Sequence, residues 1–339
     1  MVYISPNPID NVIIGVIAVV FLVFVADKVV AKSIKISNKI GISQMFIGLT
    51  VISIGTSLPE ITTHVVASLD IVKGNIDPFI ASATVLGTNI GSDIVQQLLM
   101  IGIVGLLAVI HIKRSFLKKD FLMMIVASVV LLLFSLDKDI SRAEGTVLFL
   151  GYFLYLWYLW MGENKKIKGH KDKDGKNIKL DGNDKKEIAV DVLYIIAGLV
   201  IIVLSAEYIL RVAEFFVMRY GIGGSLIGIL TIGIATALPE LTTSITAILR
   251  GASSISIGTL VGSNITNPML ALGLGAMIST YQVPKPIIVF DLPVKIVTAI
   301  IIMIFLWRKA MLTRREALIM IAMYFAYILL RMKYFAVDV

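Results

Sequence analysis

Long apolar runs dominate this sequence and restrict its fold more than any other feature. Short polar segments separate ten such runs, at 9–30, 43–69, 78–110, 117–136, 143–161, 188–213, 222–249, 254–279, 286–307 and 315–332. A helix needs about 20 predominantly apolar residues to cross a bilayer, whereas transmembrane β-strands give alternating segments of about ten. The sequence therefore predicts an all-α polytopic membrane protein with about ten transmembrane helices.

The composition supports a lipid environment and argues against several other classes of protein. Hydrophobic residues make up 58% of the chain and charged residues 16%, and there is no cysteine, which excludes disulfides and thiolate metal sites. The net charge of +8 comes mostly from lysines in short loops, where they set membrane topology and form no groove for nucleic acid. The predicted partner is the bilayer; neither nucleic acid nor an obligate protein partner is predicted.

The basic residues also orient the helices. Clusters of lysine and arginine follow the first, third and ninth apolar runs, and the lysine-rich loop 162–187 follows the fifth. If ten helices are counted, all four connections lie on one side, which the positive-inside rule makes cytoplasmic. The sequence predicts a multi-pass cell-membrane protein with both termini outside and the central loop cytoplasmic.

The loop 162–187 divides the chain into two halves. Its nine lysines and six acidic residues give it the composition of a solvated, flexible linker. We expect a first five-helix repeat at 1–161, this linker, and a second five-helix repeat at 188–339.

An internal repeat is the most informative pattern in the chain. Residues 47–69 and 227–249 agree at 12 of 23 positions, with "GTSLPE" aligned to "ATALPE". A second pair, "GTNIGSDIVQ" at 87–96 and "GTLVGSNITN" at 258–267, follows. Because five helices separate the copies, they cross the membrane in opposite directions. Inverted repeats of this kind are typical of secondary transporters, which bind substrate at the midplane where the halves meet.

The repeated residues suit a hard cation. Proline removes a backbone donor and frees carbonyls near Ser53–Thr56 and near Gly233–Thr236, while the Thr and Ser hydroxyls and the carboxylates of Glu60 and Glu240 add further oxygens. Ca2+ takes about six to eight oxygen ligands. Two glutamates in a low-dielectric site repel each other unless a proton or a cation intervenes, so the same pair can balance one divalent ion or two monovalent ions.

These motifs resemble the two α-repeats of the sodium/calcium exchanger branch of the cation/calcium antiporter superfamily. The resemblance implies ten helices in two inverted repeats and exchange of Ca2+ for Na+ by alternating access, with no cofactor. It also implies that Glu60 and Glu240 are the central carboxylates and that Thr56 and Thr236 supply oxygens to Ca2+. The remaining implied positions are the carbonyls of Ser53 and Gly233 and the side chains of Ser57, Ser92, Ser263, Gln96 and Asn267.

Four departures from the family pattern leave the ion stoichiometry and the counter-ion open. Ala237 stands where a serine is usual, Gln96 is longer than the usual asparagine, and Asn267 leaves no acid where many members have aspartate. The first repeat also has 32 residues from Glu60 to Ser92, against 23 from Glu240 to Ser263. A proton-coupled or Mg2+ exchanger is therefore the alternative, with H+ in place of Na+.

Two further titratable residues lie close to these motifs. Asp93 follows Ser92 and aligns with Asn264; it replaces the missing acid, carries a proton, or makes the helix contact of an asparagine. His64 lies one helical turn beyond Glu60, where it either tunes that carboxylate or packs the helix.

Other functional classes fit less well. The chain has no HExxH, no GxGD and no cysteine, so an intramembrane enzyme is not predicted. A passive cation channel uses similar carboxylate chemistry, but channels usually form symmetric rings, whereas an inverted repeat within one chain suits alternating access.

Overall fold

The computed structural model describes residues 8–168, 182–220 and 236–335 of the 339-residue chain. Ten helical segments lie within these ranges. They are α1 Pro8–Ile40, α2 Gln44–Thr56 with Leu58–Lys73, α3 Pro78–Leu107, α4 Arg114–Phe116 continued by Leu117–Phe121 and Leu122–Phe134, α5 Arg142–Lys168, α6 Gly182–Tyr220, α7 Leu238–Leu249, α8 Ser253–Thr266 continued by Asn267–Ala271 and Leu272–Ile278, α9 Ile287–Lys309 and α10 Arg314–Tyr334.

The predicted all-helical membrane architecture is confirmed. Six described helices are long and apolar enough to cross a membrane, and the bent pair in α2 makes a seventh if it is counted as one span. The other three helices are not in this count. Charged residues lower the hydropathy of α4, and small polar residues lower the hydropathy of α8. α7 is described only from residue 236 onward.

Three helices are longer than their apolar runs. α1 continues to Ile40, α5 to Lys168, and α6 begins at Gly182, so helix extends into both ends of the predicted linker. Ion pairs between the lysine-rich end of α1 and the acidic start of α6 stabilise these turns: Lys32–Asp191 at 2.6 Å, Lys35–Asp191 at 2.8 Å and Lys39–Asp184 at 2.7 Å. The middle of that loop lies outside the described residues.

Two short antiparallel ribbons display the internal symmetry. β1 Ile110–His111, after α3, pairs with β4 Met311–Leu312, after α9. β2 Asp139–Ile140, after α4, pairs with β3 Tyr281–Gln282, after α8. Each ribbon joins one repeat to the other, and the two ribbons are equivalent under exchange of the repeats.

Equivalent polar contacts recur in both repeats. Tyr155 of α5 donates to Asp120 of α4 at 3.2 Å, and Tyr327 of α10 donates to Asp291 of α9 at 2.9 Å. Both aspartates lie in π-helical turns, Leu117–Phe121 and Ile287–Asp291. This places α4 and α5 in structural correspondence with α9 and α10.

Buried apolar side chains form two clusters. The larger draws mainly on α3 to α5 and α8 to α10. The smaller is built mainly by α1 and α6, which pack along each other and also contact α2, α7 and the start of α8. α1 and α6 thus form a layer of their own beside the remaining helices.

Backbone contact between α2 and α8 holds the two repeats together. A Cβ on Gly258 would lie 2.8 Å from the Met45 carbonyl oxygen, and one on Gly262 would lie 2.8 Å from both the Cα and the carbonyl oxygen of Leu49. Only glycine permits this approach, as small residues do at membrane helix interfaces. The glycines of "GTLVGS" therefore allow close helix packing, whereas a Cβ on Gly87 or Gly91 of "GTNIGS" would have no described atom within 4 Å.

Candidate cation site

The helix break that the proline predicts is present in α2. Its two parts meet at 45°, with Ser57 at the junction (φ −82°, ψ 7°). Pro59 follows and has no N–H to offer the Gly55 carbonyl, so the ladder is interrupted there. In the second repeat Ala237 has nearly the same conformation, φ −93° and ψ 8°, immediately before α7. The two repeats therefore share one backbone geometry at this point.

Both glutamates lie in the first helical turn after the break, and both are buried. Glu60 is 4% exposed and Glu240 is 0% exposed. The Ser92 hydroxyl lies 3.4 Å from Oε1 of Glu60, and the Ser263 hydroxyl lies 3.5 Å from Oε1 of Glu240. The second oxygen, Oε2, of each carboxylate has no hydrogen-bond partner among the described residues. Burying a carboxylate with an unpaired oxygen has a high free-energy cost unless a cation binds to it or a proton neutralises it.

The glutamates belong to one site. Their carboxylates are close enough to interact electrostatically, and the Thr56 hydroxyl of the first repeat interacts with the Glu240 carboxylate of the second. Thr56 is fully buried and also donates to the Ser53 carbonyl at 3.3 Å, whereas Thr236 is half-buried. The structure thus brings the break of α2 and the start of α7 together.

Serine oxygens differ between the two halves. The Ser57 hydroxyl is buried and has no partner in the described parts of the chain, while Ala237 at the matching position is fully buried and brings no oxygen. The Ser53 hydroxyl donates to the Leu49 carbonyl at 2.7 Å, and the Ser53 carbonyl accepts the Ser57 amide at 3.0 Å. Gly233, the counterpart of Ser53, lies outside the described residues.

The amide side chains cross between the repeats. Asn267 donates to Oδ1 of Asp93 at 2.8 Å, and Asn264 donates to Oε1 of Gln96 at 3.3 Å. Gln96 in turn donates to the Ser92 hydroxyl at 3.2 Å. Gln96 and Asn267 both lie in π-helical turns, Val95–Met100 and Asn267–Ala271, and such turns occur frequently at functional sites.

Asp93 is one half of an ion pair that the sequence reading missed. Its Oδ2 contacts the Lys295 ammonium of α9, and both side chains are 0% exposed. Asp93 therefore makes the helix contact to Asn267 and at the same time holds a buried cation. The sequence could have indicated this pair, because charged residues such as Asp93 and Lys295 within apolar runs must find partners inside the bundle.

His64 forms a network of its own beside the site. Its Nδ1 lies 3.1 Å from the Tyr281 hydroxyl and its Nε2 lies 3.0 Å from Nδ2 of Asn89. The Asn89 amide can only donate there, so Nε2 accepts and the ring carries its proton on Nδ1. Both nitrogens are engaged away from Glu60, and the geometry supports the packing role.

Among the described residues, no group of three or more His, Asp or Glu side chains is arranged to hold a metal ion. A cation between the two carboxylates would be completed by hydroxyl, amide and carbonyl oxygens. That donor set is made only of oxygen and suits Ca2+ and Na+ better than zinc, which prefers nitrogen and sulfur.

Comparison with known proteins places this arrangement in a family. A model of the family described as sodium/calcium exchanger protein matches residues 11–161 and 190–333, one match for each half of the chain. The chain belongs to the sodium/calcium exchanger family. The exchanger is 28% identical over 94% of its length to 97% of "Sodium/calcium exchanger MaX1" of Methanosarcina acetivorans. It is also 30% identical over 78% of its length to 79% of "Putative antiporter CaxA" of Alkalimonas amylolytica.

Solved structures agree on the fold. The exchanger superposes on the sodium-calcium exchanger NCX_Mj, soaked with 10 mM Na+ and 10 mM Sr2+, with a TM-score of 0.79, covering 95% of this chain and 99% of the other at 22% identity. The predicted fold of ten transmembrane helices in two repeats is thereby confirmed. Members of the family are secondary transporters, so the exchanger is not an enzyme.

Proposed function

We propose that this exchanger moves Ca2+ and Na+ in opposite directions through one site between Glu60 and Glu240. The observation that carries the proposal is the pair of buried carboxylates, one from each inverted repeat, each with an oxygen that has no partner among the described residues. One Ca2+ or two Na+ neutralise the two charges. Either load therefore satisfies the same site, which is the requirement for exchange.

The proposed ligands are those expected from the sequence. Thr56, Thr236 and the two glutamates serve Ca2+. The flanking Na+ sites use Ser57, Ser92, Ser263 and the carbonyls of Ser53 and Gly233, with Gln96 and Asn267 at the centre. The unpartnered buried oxygens of Ser57 and Asn267 fit such roles because a cation would satisfy them.

Alternating access follows from the layering of the helices. α1 and α6 pack along each other and share one apolar cluster, separate from the larger cluster of the other helices. A sliding movement of α1 and α6 would expose the site first to one side of the membrane and then to the other. The remaining helices of the two repeats, 1–161 and 188–339, would stay fixed. With the linker 162–187 in the cytoplasm, both termini lie outside the cell membrane.

Purified protein in liposomes tests the proposal. Uptake of radiolabelled calcium is measured with an outward Na+ gradient, an outward H+ gradient, or no gradient, and with excess Mg2+ as competitor. Uptake driven by Na+ supports the proposal. Uptake driven only by H+ establishes the proton-coupled alternative, and uptake that needs no counter-gradient would indicate a channel.

A further inference from the structure

The buried pair Asp93–Lys295 joins the two repeats, and the residues at the symmetry-related positions carry no charge. Asn264 of α8 is the repeat mate of Asp93, at an offset of 171. Lys295 lies four residues after Asp291, and Met124 lies four residues after Asp120, the matching aspartate of α4. The contact between α3 and α9 thus has a carboxylate and an ammonium at positions where α8 and α4 have an amide and a thioether.

The pair lies against the cation site. Asp93 follows Ser92, whose hydroxyl lies 3.4 Å from Glu60, and Asp93 accepts a hydrogen bond from Asn267 at 2.8 Å. The carboxylate can only accept hydrogen bonds, so the amino group of Asn267 faces it. Asn267 Oδ1, buried and without a partner among the described residues, remains available to an ion.

Lys295 is fixed in place from α3. The Gln97 side chain donates to the Lys295 carbonyl at 3.0 Å and to the Thr298 hydroxyl at 2.6 Å. The Lys295 side chain is fully buried, and its ammonium contacts the Asp93 carboxylate. A buried ion pair is costly to break because the remaining charge is left uncompensated.

We propose that Lys295 is a tethered cation that balances Asp93 in place of an ion from solution, and so sets how many monovalent ions accompany each Ca2+. With Lys295 present, the site carries only the two charges of Glu60 and Glu240. Without it, Asp93 becomes a third carboxylate beside the same site and draws in one more Na+. This inference rests on the proposed function, since it concerns the stoichiometry of that exchange.

The test measures the coupling ratio directly. In proteoliposomes, the Na+ gradient that just prevents net calcium movement is found for a series of Ca2+ gradients, and the slope gives the number of Na+ per Ca2+. We expect Lys295→Met to raise that number by one relative to the unmodified protein. The matched control is Asp93→Asn/Lys295→Met, which introduces the uncharged residues of the symmetry-related positions 264 and 124 and should keep the original ratio, as should Lys295→Arg. An unchanged ratio in Lys295→Met, or a raised ratio in the double variant, would overturn the proposal.

A second measurement does not depend on transport. Asp93→Asn leaves the ammonium unpaired beside the site, and we expect the Ca2+ concentration for half-maximal thermal stabilisation in detergent to rise about tenfold or more. The double variant should restore it. Equal Ca2+ dependence in Asp93→Asn and the unmodified protein would mean that the ammonium does not act on the site. If the unmodified protein shows no Na+-driven uptake, the proposed function fails, while this binding comparison still decides the role of Lys295.

Discussion

Asn264 donates to Gln96 across the two repeats at 3.3 Å, and the pseudo-symmetric partners of these residues, Asp93 and Asn267, meet at 2.8 Å. α3 and α8 therefore meet through two equivalent contacts, one of which includes a charged residue while the other does not. These two contacts lie directly beside Ser92 and Ser263, the serines that approach the two glutamates. The candidate site is therefore symmetric in backbone and asymmetric in chemistry.

Both central glutamates should be indispensable for exchange but not for folding. Glu60→Gln and Glu240→Gln each remove one of two charges that balance the ion, and we expect Na+-driven calcium uptake to fall at least about 100-fold. Because each change also removes a buried charge, the melting temperature without ions should be equal or higher. Glu207→Gln, a half-exposed i,i+4 partner of Arg211, is the control and should retain uptake. Normal uptake in either site variant would contradict the assigned role.

Ser57 should contribute to Na+ binding more than to Ca2+ binding. Its buried hydroxyl has no partner in the described residues, and Ala237 supplies none in the other half. We expect Ser57→Ala to raise the Na+ concentration for half-maximal exchange about threefold to tenfold, with a smaller change for Ca2+. Ala237→Ser provides the reciprocal variant and should lower it. The Na+ dependence of calcium efflux measures this concentration in both variants. If Ser57→Ala changed the half-maximal concentrations of Na+ and Ca2+ equally, the result would argue against a flanking Na+ site.

The contact between α2 and α8 should depend on Gly262. A Cβ there would lie 2.8 Å from the Leu49 backbone, which cannot move aside as a flexible side chain can, so Gly262→Ala should cost about 1–3 kcal/mol. A fall of several degrees in melting temperature would report it. Gly162→Ala is the matched control, since no described atom lies within 4 Å of its added Cβ, and its melting temperature should be unchanged or slightly raised. Equal melting temperatures for the two variants would show that α8 can shift to admit a methyl group.

His64 should act on stability and not on ion dependence. His64→Leu leaves the Asn89 amide and the Tyr281 hydroxyl without this partner, and we expect a loss of about 1–3 kcal/mol. Exposed His111 provides the control: His111→Leu should leave the melting temperature unchanged. The Ca2+ dependence and the pH profile of exchange should be the same in both variants and in the unmodified protein. A shifted pH profile in His64→Leu alone would mean instead that the ring tunes Glu60.

Much of the fold could be predicted because its determinants are local. An apolar run of about 20 residues specifies a membrane helix, and Pro59 and Pro239 specify where a helix begins again after a break. Helix ends were less predictable at α1 and α6, because their extensions are joined by ion pairs such as Lys32–Asp191, whose members are 159 positions apart.

The sequence by itself determined the membrane class, the inverted repeat and the two glutamates, because each is written in residue type and spacing along the chain. Only the tertiary structure decided what Asp93 does. Its partner Lys295 is 202 positions away, in a helix outside both sequence motifs, and no periodicity links the two. Packing α3 against α9 brings the charges into contact. In a medium that solvates neither, that contact converts an apparent third acid into a neutral pair beside the cation site.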